Sequence, residues 1–169
     1  MTDTLKLTPS ETVTVRDSTP ELLEVEGSYG AGGSPPPGHY HPNQDEHFEI
    51  VEGSLRTRVD GVERDLAVGE TIEIPGRTVH QMWNPHDEPA RVLWQTRPRL
   101  RTEEWFRSVD ALHRSGRVGD DGSPSTLAFA TLITEFSDVF RLAAKPEPLV
   151  RAALAGMALV GRARGYGLR

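Results

Sequence analysis

The sequence contains no cysteine among its 169 residues, which excludes disulfide bonds, thiolate catalysis and zinc sites built on cysteine. Long apolar runs are also missing, and no stretch approaches the roughly 20 apolar residues that a membrane-spanning helix needs. The first residues lack the basic start and the apolar core of a secretion signal. These absences predict a cytoplasmic protein without a membrane span.

Positive charge is scarce in the first part of the chain. Residues 1–96 contain 7 Lys and Arg against 17 Asp and Glu, whereas residues 97–169 contain 12 against 8. An acidic surface repels the phosphate backbone of nucleic acids, so we expect no nucleic-acid partner.

Short β-type segments, separated by turn signals every 8–12 residues, fill the region from about residue 10 to residue 98. The pair Asp60-Gly61 lies between two alternating segments and is typical of a β-hairpin. Many short strands favour a barrel or sandwich, and closure of a barrel protects its edge strands. The sequence therefore predicts a mainly β domain over residues 1–98.

The pattern changes after Arg97-Pro98, where helical periodicity replaces alternation. Thr102 is predicted to cap the first helix, and Ser123-Pro124 to open the second. The three predicted helices cover residues 103–115, 124–142 and 149–164. We expect residues 99–169 to form a helical extension that packs on the barrel or on a second subunit.

The region around residues 39–46 carries the clearest chemical signal. His39 and His41 are two residues apart, so in a strand their imidazoles point to the same face. The four residues between His41 and Glu46 have turn chemistry, which brings Glu46 onto the neighbouring strand and towards the same point. Two ring nitrogens and one carboxylate oxygen suit a transition metal.

A second stretch can complete this site. Residues 69–80 predict a turn, a short strand, a Pro-Gly turn and then His80 at the start of another strand. His80, Met82 and Asn84 share one face of that strand, and His80 is a fourth ligand if this face looks onto the first cluster. We predict ordinary surface roles for the other histidines, His47, His86 and His113.

The spacing of these residues resembles the two motifs of the cupin superfamily. The first motif is Gly, five residues, His-x-His, three or four residues, Glu, six residues and Gly. Gly33, His39, His41, Glu46 and Gly53 fit it without a gap.

The second cupin motif is Gly, five residues, Pro-x-Gly, two residues, His, three residues and Asn. Gly69, Pro75, His80 and Asn84 fit it, whereas Arg77 stands where the motif has glycine. This departure affects the local turn geometry and leaves the ligand in place.

The resemblance implies a cupin-type antiparallel β-barrel, also called a double-stranded β-helix or jelly roll, and a homodimer. It implies one divalent metal ion held by His39, His41, Glu46 and His80. Iron, manganese, nickel, zinc, cobalt and copper all accept such ligands, so the metal stays open.

The function that follows is a metal-dependent enzyme acting on a small organic molecule. A redox-active metal favours a dioxygenase, and a Lewis-acidic metal favours an isomerase or cyclase. Glu46 is predicted to be a ligand first and a general base if released. The alternative is a non-catalytic, metal-bearing cupin that binds a small molecule or has a regulatory role, because this fold hosts many unrelated functions.

Five further residues are predicted to line the pocket. Phe48 and Ile50 share a face with Glu46, and Met82 shares one with His80, so their apolar side chains would exclude water. Gln44 and Arg77 are polar and are expected near the pocket mouth.

Overall fold

The computed structural model describes residues 3–119 and 123–166, so residues 1–2, 120–122 and 167–169 lie outside the described residues. Eleven strands and three helices form within the described ranges. The strands are β1 (Thr4–Lys6), β2 (Glu11–Ser18), β3 (Leu23–Tyr29), β4 (His39–Tyr40), β5 (Asp45–Glu52), β6 (Ser54–Val59), β7 (Val62–Ala67), β8 (Thr71–Ile74), β9 (His80–Trp83), β10 (Ala90–Arg97) and β11 (Arg141–Leu142). The helices are α1 (Thr102–Arg114), α2 (Thr126–Glu135) and α3 (Glu147–Ala163).

The strands form two antiparallel sheets. One has the order β1-β2-β3-β10-β5-β8 and the other β11-β4-β9-β6-β7. Strands that are distant in sequence are neighbours in both sheets, as in a jelly roll. The predicted cupin-type β fold is confirmed.

The main hydrophobic core lies between the two sheets. Phe48 and Ile50 from β5 meet Leu55 from β6 and Met82 from β9 in one buried cluster. Burial alternates along β5, where Glu46, Phe48 and Ile50 are buried and their neighbours are more exposed. Alternation therefore turns Glu46 inward on the same face as the core residues.

The β6–β7 hairpin has the turn that the sequence predicts. Asp60 and Gly61 connect the paired residues Val59 and Val62. Both have positive φ, 47° for Asp60 and 85° for Gly61. Two consecutive positive φ angles match the right-handed twist of the flanking strands, which explains the Asp-Gly pair.

Helix α1 agrees with the sequence except at its start. Arg101 is the N-cap and makes no side-chain capping bond, so the predicted cap at Thr102 is wrong. The Thr102 hydroxyl instead accepts a hydrogen bond from Gln44 Nε2 over 2.7 Å. Phe106 of α1 joins the hydrophobic cluster of β1, β2 and β3.

Helix α2 is shorter than predicted. It begins after Ser125, whose side chain accepts a hydrogen bond from the Ala128 backbone N–H, and ends at Glu135 rather than at residue 142. Residues 136–140 turn, and β11 then pairs with β4. Phe136 and Val139 are buried by this change of direction and not by a longer helix, and Phe140 and Leu142 are half-buried.

None of the helices in the described part of the chain is both long and apolar enough to cross a lipid bilayer.

Candidate metal centre

Three imidazoles lie together at one end of the β4–β9 pair. His39 is directly opposite His80 in the register of these strands, and His41 follows the end of β4. One ring nitrogen from each histidine lies within 4.8 Å of the others. His41 and His80 are buried and His39 is half-buried, so the cluster belongs to the interior of the protein.

Glu46 approaches this cluster from the opposite sheet. Its Oε2 atom lies 3.0 Å from His80 Nε2 and 3.3 Å from His41 Nε2. The residue is 1% exposed. The structure thus brings the four predicted ligands together from three separate strand regions.

The two carboxylate oxygens of Glu46 differ in their surroundings. Oε1 accepts a hydrogen bond from Trp94 Nε1 over 3.0 Å. Oε2 is buried and has no hydrogen-bond partner of acceptable geometry. A buried, unpartnered carboxylate oxygen is costly unless a cation compensates it, so this atom fits a metal ligand.

Backbone carbonyls orient all three imidazoles. A carbonyl oxygen only accepts, so each Nδ1 must carry the hydrogen, and in a neutral ring Nε2 keeps its lone pair. The three contacts are His39 Nδ1 to Pro37 O at 3.1 Å, His80 Nδ1 to Thr78 O at 3.0 Å and His41 Nδ1 to Val139 O at 2.5 Å. The same tautomer is therefore imposed on the whole cluster.

Burial and charge set the protonation of the cluster. Burial, reinforced by the charges of His80 and His41, lowers the pKa of His39 to about 3. Burial acts to raise the pKa of Glu46, but without a metal the positive charge of His41, and then of His80, outweighs it and holds that pKa well below its usual range. Against the effect of burial, Glu46 in turn raises the pKa of His41, so a metal ion would have to replace the hydrogen on Nε2. A neutral His39 and an ionised Glu46 are the forms that bind metal.

The donor set fits a divalent transition metal. It offers three imidazole nitrogens and one carboxylate oxygen, which suit the metals predicted from the sequence. Neutral imidazoles and one carboxylate would leave a net charge of about +1 on a divalent ion.

The apolar residues predicted to line the pocket lie in the core beside the cluster. Phe48, Ile50 and Met82 are buried between the two sheets. Phe48 also stacks on Trp94, with ring centroids 5.3 Å apart. Trp94 therefore connects the apolar core to Glu46, a contact that the sequence analysis did not find.

Gln44 lies in the interior and not at the mouth where we expected it. It is 2% exposed. Its amide nitrogen contacts Pro98 O, Arg99 O and Thr102 Oγ1 at 2.7–2.9 Å. These bonds tie the segment before β5 to the start of α1.

Arg77 is exposed and adopts a φ of 70°. This left-handed conformation explains why the cupin motif has glycine at this position. The Arg77 backbone N–H donates to His41 O over 2.8 Å, and its Nε contacts Pro42 O at 3.4 Å. Arg77 thus joins the two motif segments behind the histidines.

Two residues from the C-terminal region, not predicted from the sequence, also contact the cluster. Val139 supplies the carbonyl that contacts His41, and Phe140 stacks on His39 with ring centroids 4.6 Å apart and an interplanar angle of 18°. Both residues fall in the helix that the sequence predicts over residues 124–142, whereas in the structure they follow α2. Nothing in the local pattern indicates contact with histidines about 100 residues earlier.

A family model described as "Cupin domain" matches residues 26–96. This range contains His39, His41, Glu46 and His80, and it excludes Val139 and Phe140.

Curated proteins match over short stretches. "Tetracenomycin polyketide synthase protein TcmJ" of Streptomyces glaucescens is 38% identical over 60 residues, which are 36% of this chain and 40% of that protein. "Oxidoreductase iacF" of Pestalotiopsis fici is 40% identical over 64 residues, which are 37% of this chain and 31% of that protein. The chain therefore spans less than half the length of these relatives.

Solved structures agree with the fold. KdgF from a Halomonas species has a TM-score of 0.53 and 22% identity, with 60% of this chain and 92% of that chain covered. At this identity the likeness shows the fold alone.

Proposed function

Because this chain belongs to the cupin superfamily, we propose that it is a metal-dependent enzyme that converts a small organic molecule. His39, His41, Glu46 and His80 would hold one divalent metal ion. The observation that carries the proposal is the buried Oε2 atom of Glu46, which has no hydrogen-bond partner and faces two imidazole nitrogens.

A bound metal supplies a Lewis acid for an isomerase or cyclase, or a redox centre for a dioxygenase. The chain's own residues prepare the site. Trp94 Nε1 donates a hydrogen bond to Oε1 of Glu46. Oε2 is therefore the oxygen that remains available to bind a metal. Phe48 and Met82 exclude water on the core side, which strengthens electrostatic interactions there.

Glu46 is also the residue we propose for proton transfer. Because Oε2 is also the proposed metal donor, Glu46 is a ligand first and serves as a general base only when its carboxylate is released from the metal. In the described residues we find no other carboxylate in contact with the three histidines.

The substrate class we propose is a small molecule with hydroxyl or carbonyl oxygens, since such oxygens are ordinary ligands of these metals. One named relative is an oxidoreductase, which supports the redox alternative, and the other is a polyketide synthase protein, which supports a small organic substrate. The homodimer and the cytoplasmic location stay predictions.

The metal assignment is tested by elemental analysis of the reconstituted protein. We expect about one metal ion per chain in the wild type and loss of metal in His41→Ala and His80→Ala. His47→Ala is the matched control, because His47 contacts Glu73 and not the cluster. Equal metal in the wild type and in His41→Ala would overturn the assignment.

Turnover separates the possible functions. The metal-loaded protein is incubated with a panel of phenols and β-diketones, with and without dioxygen, and products are identified by mass spectrometry. Conversion that needs dioxygen supports the dioxygenase, and conversion without it supports the isomerase or cyclase. Tight binding with no conversion supports the non-catalytic alternative.

A further inference from the structure

The segment between α2 and β11, together with β11, covers one side of the histidine cluster. We call residues 136–142 the strap. The Phe140 ring stacks on His39, and it also stacks on Trp105 with centroids 5.0 Å apart and an interplanar angle of 13°. The His39 imidazole is therefore held against a ring that the helical region fixes.

The strap also provides the hydrogen bond that orients His41. The carbonyls that orient His39 and His80 come from residues two positions earlier in the chain. The carbonyl that orients His41 comes from Val139, 98 residues later. Local geometry thus orients two imidazoles, and the third depends on the C-terminal region.

The strap is fixed at both ends, which distinguishes it from a mobile lid. Phe136 and Val139 are fully buried in the cluster formed with α1 and α2. At the other end Leu142 pairs with His39 in the β11–β4 ladder, and the Ala143 N–H donates to Gly38 O over 2.8 Å. Buried apolar contacts and backbone hydrogen bonds make local opening costly.

We propose that Val139 and Phe140 are positioning residues of the metal centre. Val139 fixes the tautomer and direction of His41, and Phe140 restricts rotation of the His39 ring. The inference rests on the proposed function, in which these histidines bind a metal. Loss of such outer partners typically lowers metal affinity by roughly 10–100-fold.

A strap that only fills space makes a different prediction. In that case a substitution at Phe140 lowers the stability of the fold and leaves the affinity for metal unchanged. The two roles can therefore be separated by measuring metal affinity and unfolding on the same variants.

The experiment uses Co²⁺ as the probe and the full chain. Phe140→Leu keeps an apolar side chain but removes the planar ring, and Phe140→Tyr keeps the ring. Phe129→Leu is the matched control, since Phe129 is a half-buried residue of α2. We expect Phe140→Leu to weaken Co²⁺ binding by at least about tenfold, with Phe140→Tyr and Phe129→Leu close to the wild type.

Proton NMR of the Co²⁺-loaded protein gives a second readout. We expect three shifted, exchangeable ring N–H signals in the wild type, one from each Nδ1. In Phe140→Leu the signal of His39 should shift and exchange faster with solvent. A change of packing away from the metal would not move these signals.

A measurement on the wild type removes any dependence on folding of the variants. In the Zn²⁺-loaded protein, nitrogen-detected histidine spectra should show His41 with its hydrogen on Nδ1. Metal on Nδ1 of His41 would overturn the role of Val139.

The outcomes distinguish this inference from the function on which it rests. Unchanged Co²⁺ affinity and ring N–H signals in Phe140→Leu would overturn the role of the strap, and the metal assignment would stand. If the wild type bound neither ion, the metal assignment would fail and the strap inference with it.

Discussion

Glu46 of β5 and Trp94 of β10 are joined by a hydrogen bond in which the indole Nε1 donates to Oε1 over 3.0 Å. The bond satisfies one oxygen of a carboxylate that is almost completely buried. Trp94→Phe would keep an aromatic ring on Phe48 but leave that oxygen without a donor. We expect the variant to lose roughly 1–3 kcal/mol of unfolding free energy.

Urea denaturation of the metal-free protein measures this loss. Trp83→Phe serves as the control, because Trp83 is a buried tryptophan that packs under Arg58 and not against Glu46. If both variants lost the same free energy, the loss would report ring size and not the bond to Glu46.

The backbone at Arg77 gives a second prediction. Its φ of 70° is strained for a β-branched residue and open to glycine. Arg77→Val should therefore destabilise the protein by roughly 1–3 kcal/mol, whereas Arg77→Gly should not. Thermal unfolding of both variants checks this, with Arg64→Val on the exposed strand β7 as the control. An Arg77→Val variant as stable as Arg64→Val would contradict it.

Glu11 gives a prediction about pH. Burial raises the pKa of Glu11 from 4.5 to about 7, against a smaller opposing effect of its hydrogen bond with Tyr29. Between these two values the unfolded chain releases a proton that the folded chain keeps. The unfolding free energy should therefore fall as pH rises from about 4.5 to about 7, by up to about 3 kcal/mol.

Urea denaturation across this pH range measures the fall. Glu11→Gln should remove most of it, because the amide does not ionise, and the exposed Glu21→Gln should retain it. If the unfolding free energy of Glu11→Gln changed with pH as that of the wild type does, titration of groups other than Glu11 would cause the fall.

Removal of metal should destabilise the wild type. A ligand that binds only the folded state stabilises it by about 2.7 kcal/mol at a free concentration of 100 times its Kd. We expect a chelator to lower the Tm of metal-loaded wild type and to leave His41→Ala unchanged. The idea loses support if a sample with verified metal content melts at the same temperature with and without chelator.

Much of the site's arrangement follows from spacing along the chain. The alternation of β5 turns Glu46 to the same face as Phe48 and Ile50, as the sequence predicts. The spacing of His39, His41 and His80 likewise anticipates that the structure brings them together. That they bind a metal stays a prediction.

The contacts around the site could not be predicted in the same way. Alternation sets the face of a residue, but the pairing of two strands depends on turns and bulges. The β10–β5 pairing contains a register shift between Arg91 and Val92. Beyond this shift Thr96 pairs with Glu46, and this register brings Trp94 near the Glu46 carboxylate. The apolar residues after Glu135 fit a helical period, so the sequence predicts helix where the structure has the strap.

The distance in sequence between His41 and Val139 also constrains when the site can form. During synthesis on the ribosome, all four candidate ligands emerge long before residue 139. The nascent barrel then presents a ligand cluster whose third imidazole has no orienting carbonyl, and closing so long a loop is slow. Tight metal capture at the proposed site would thus wait until Val139 has been synthesised and has packed against His41.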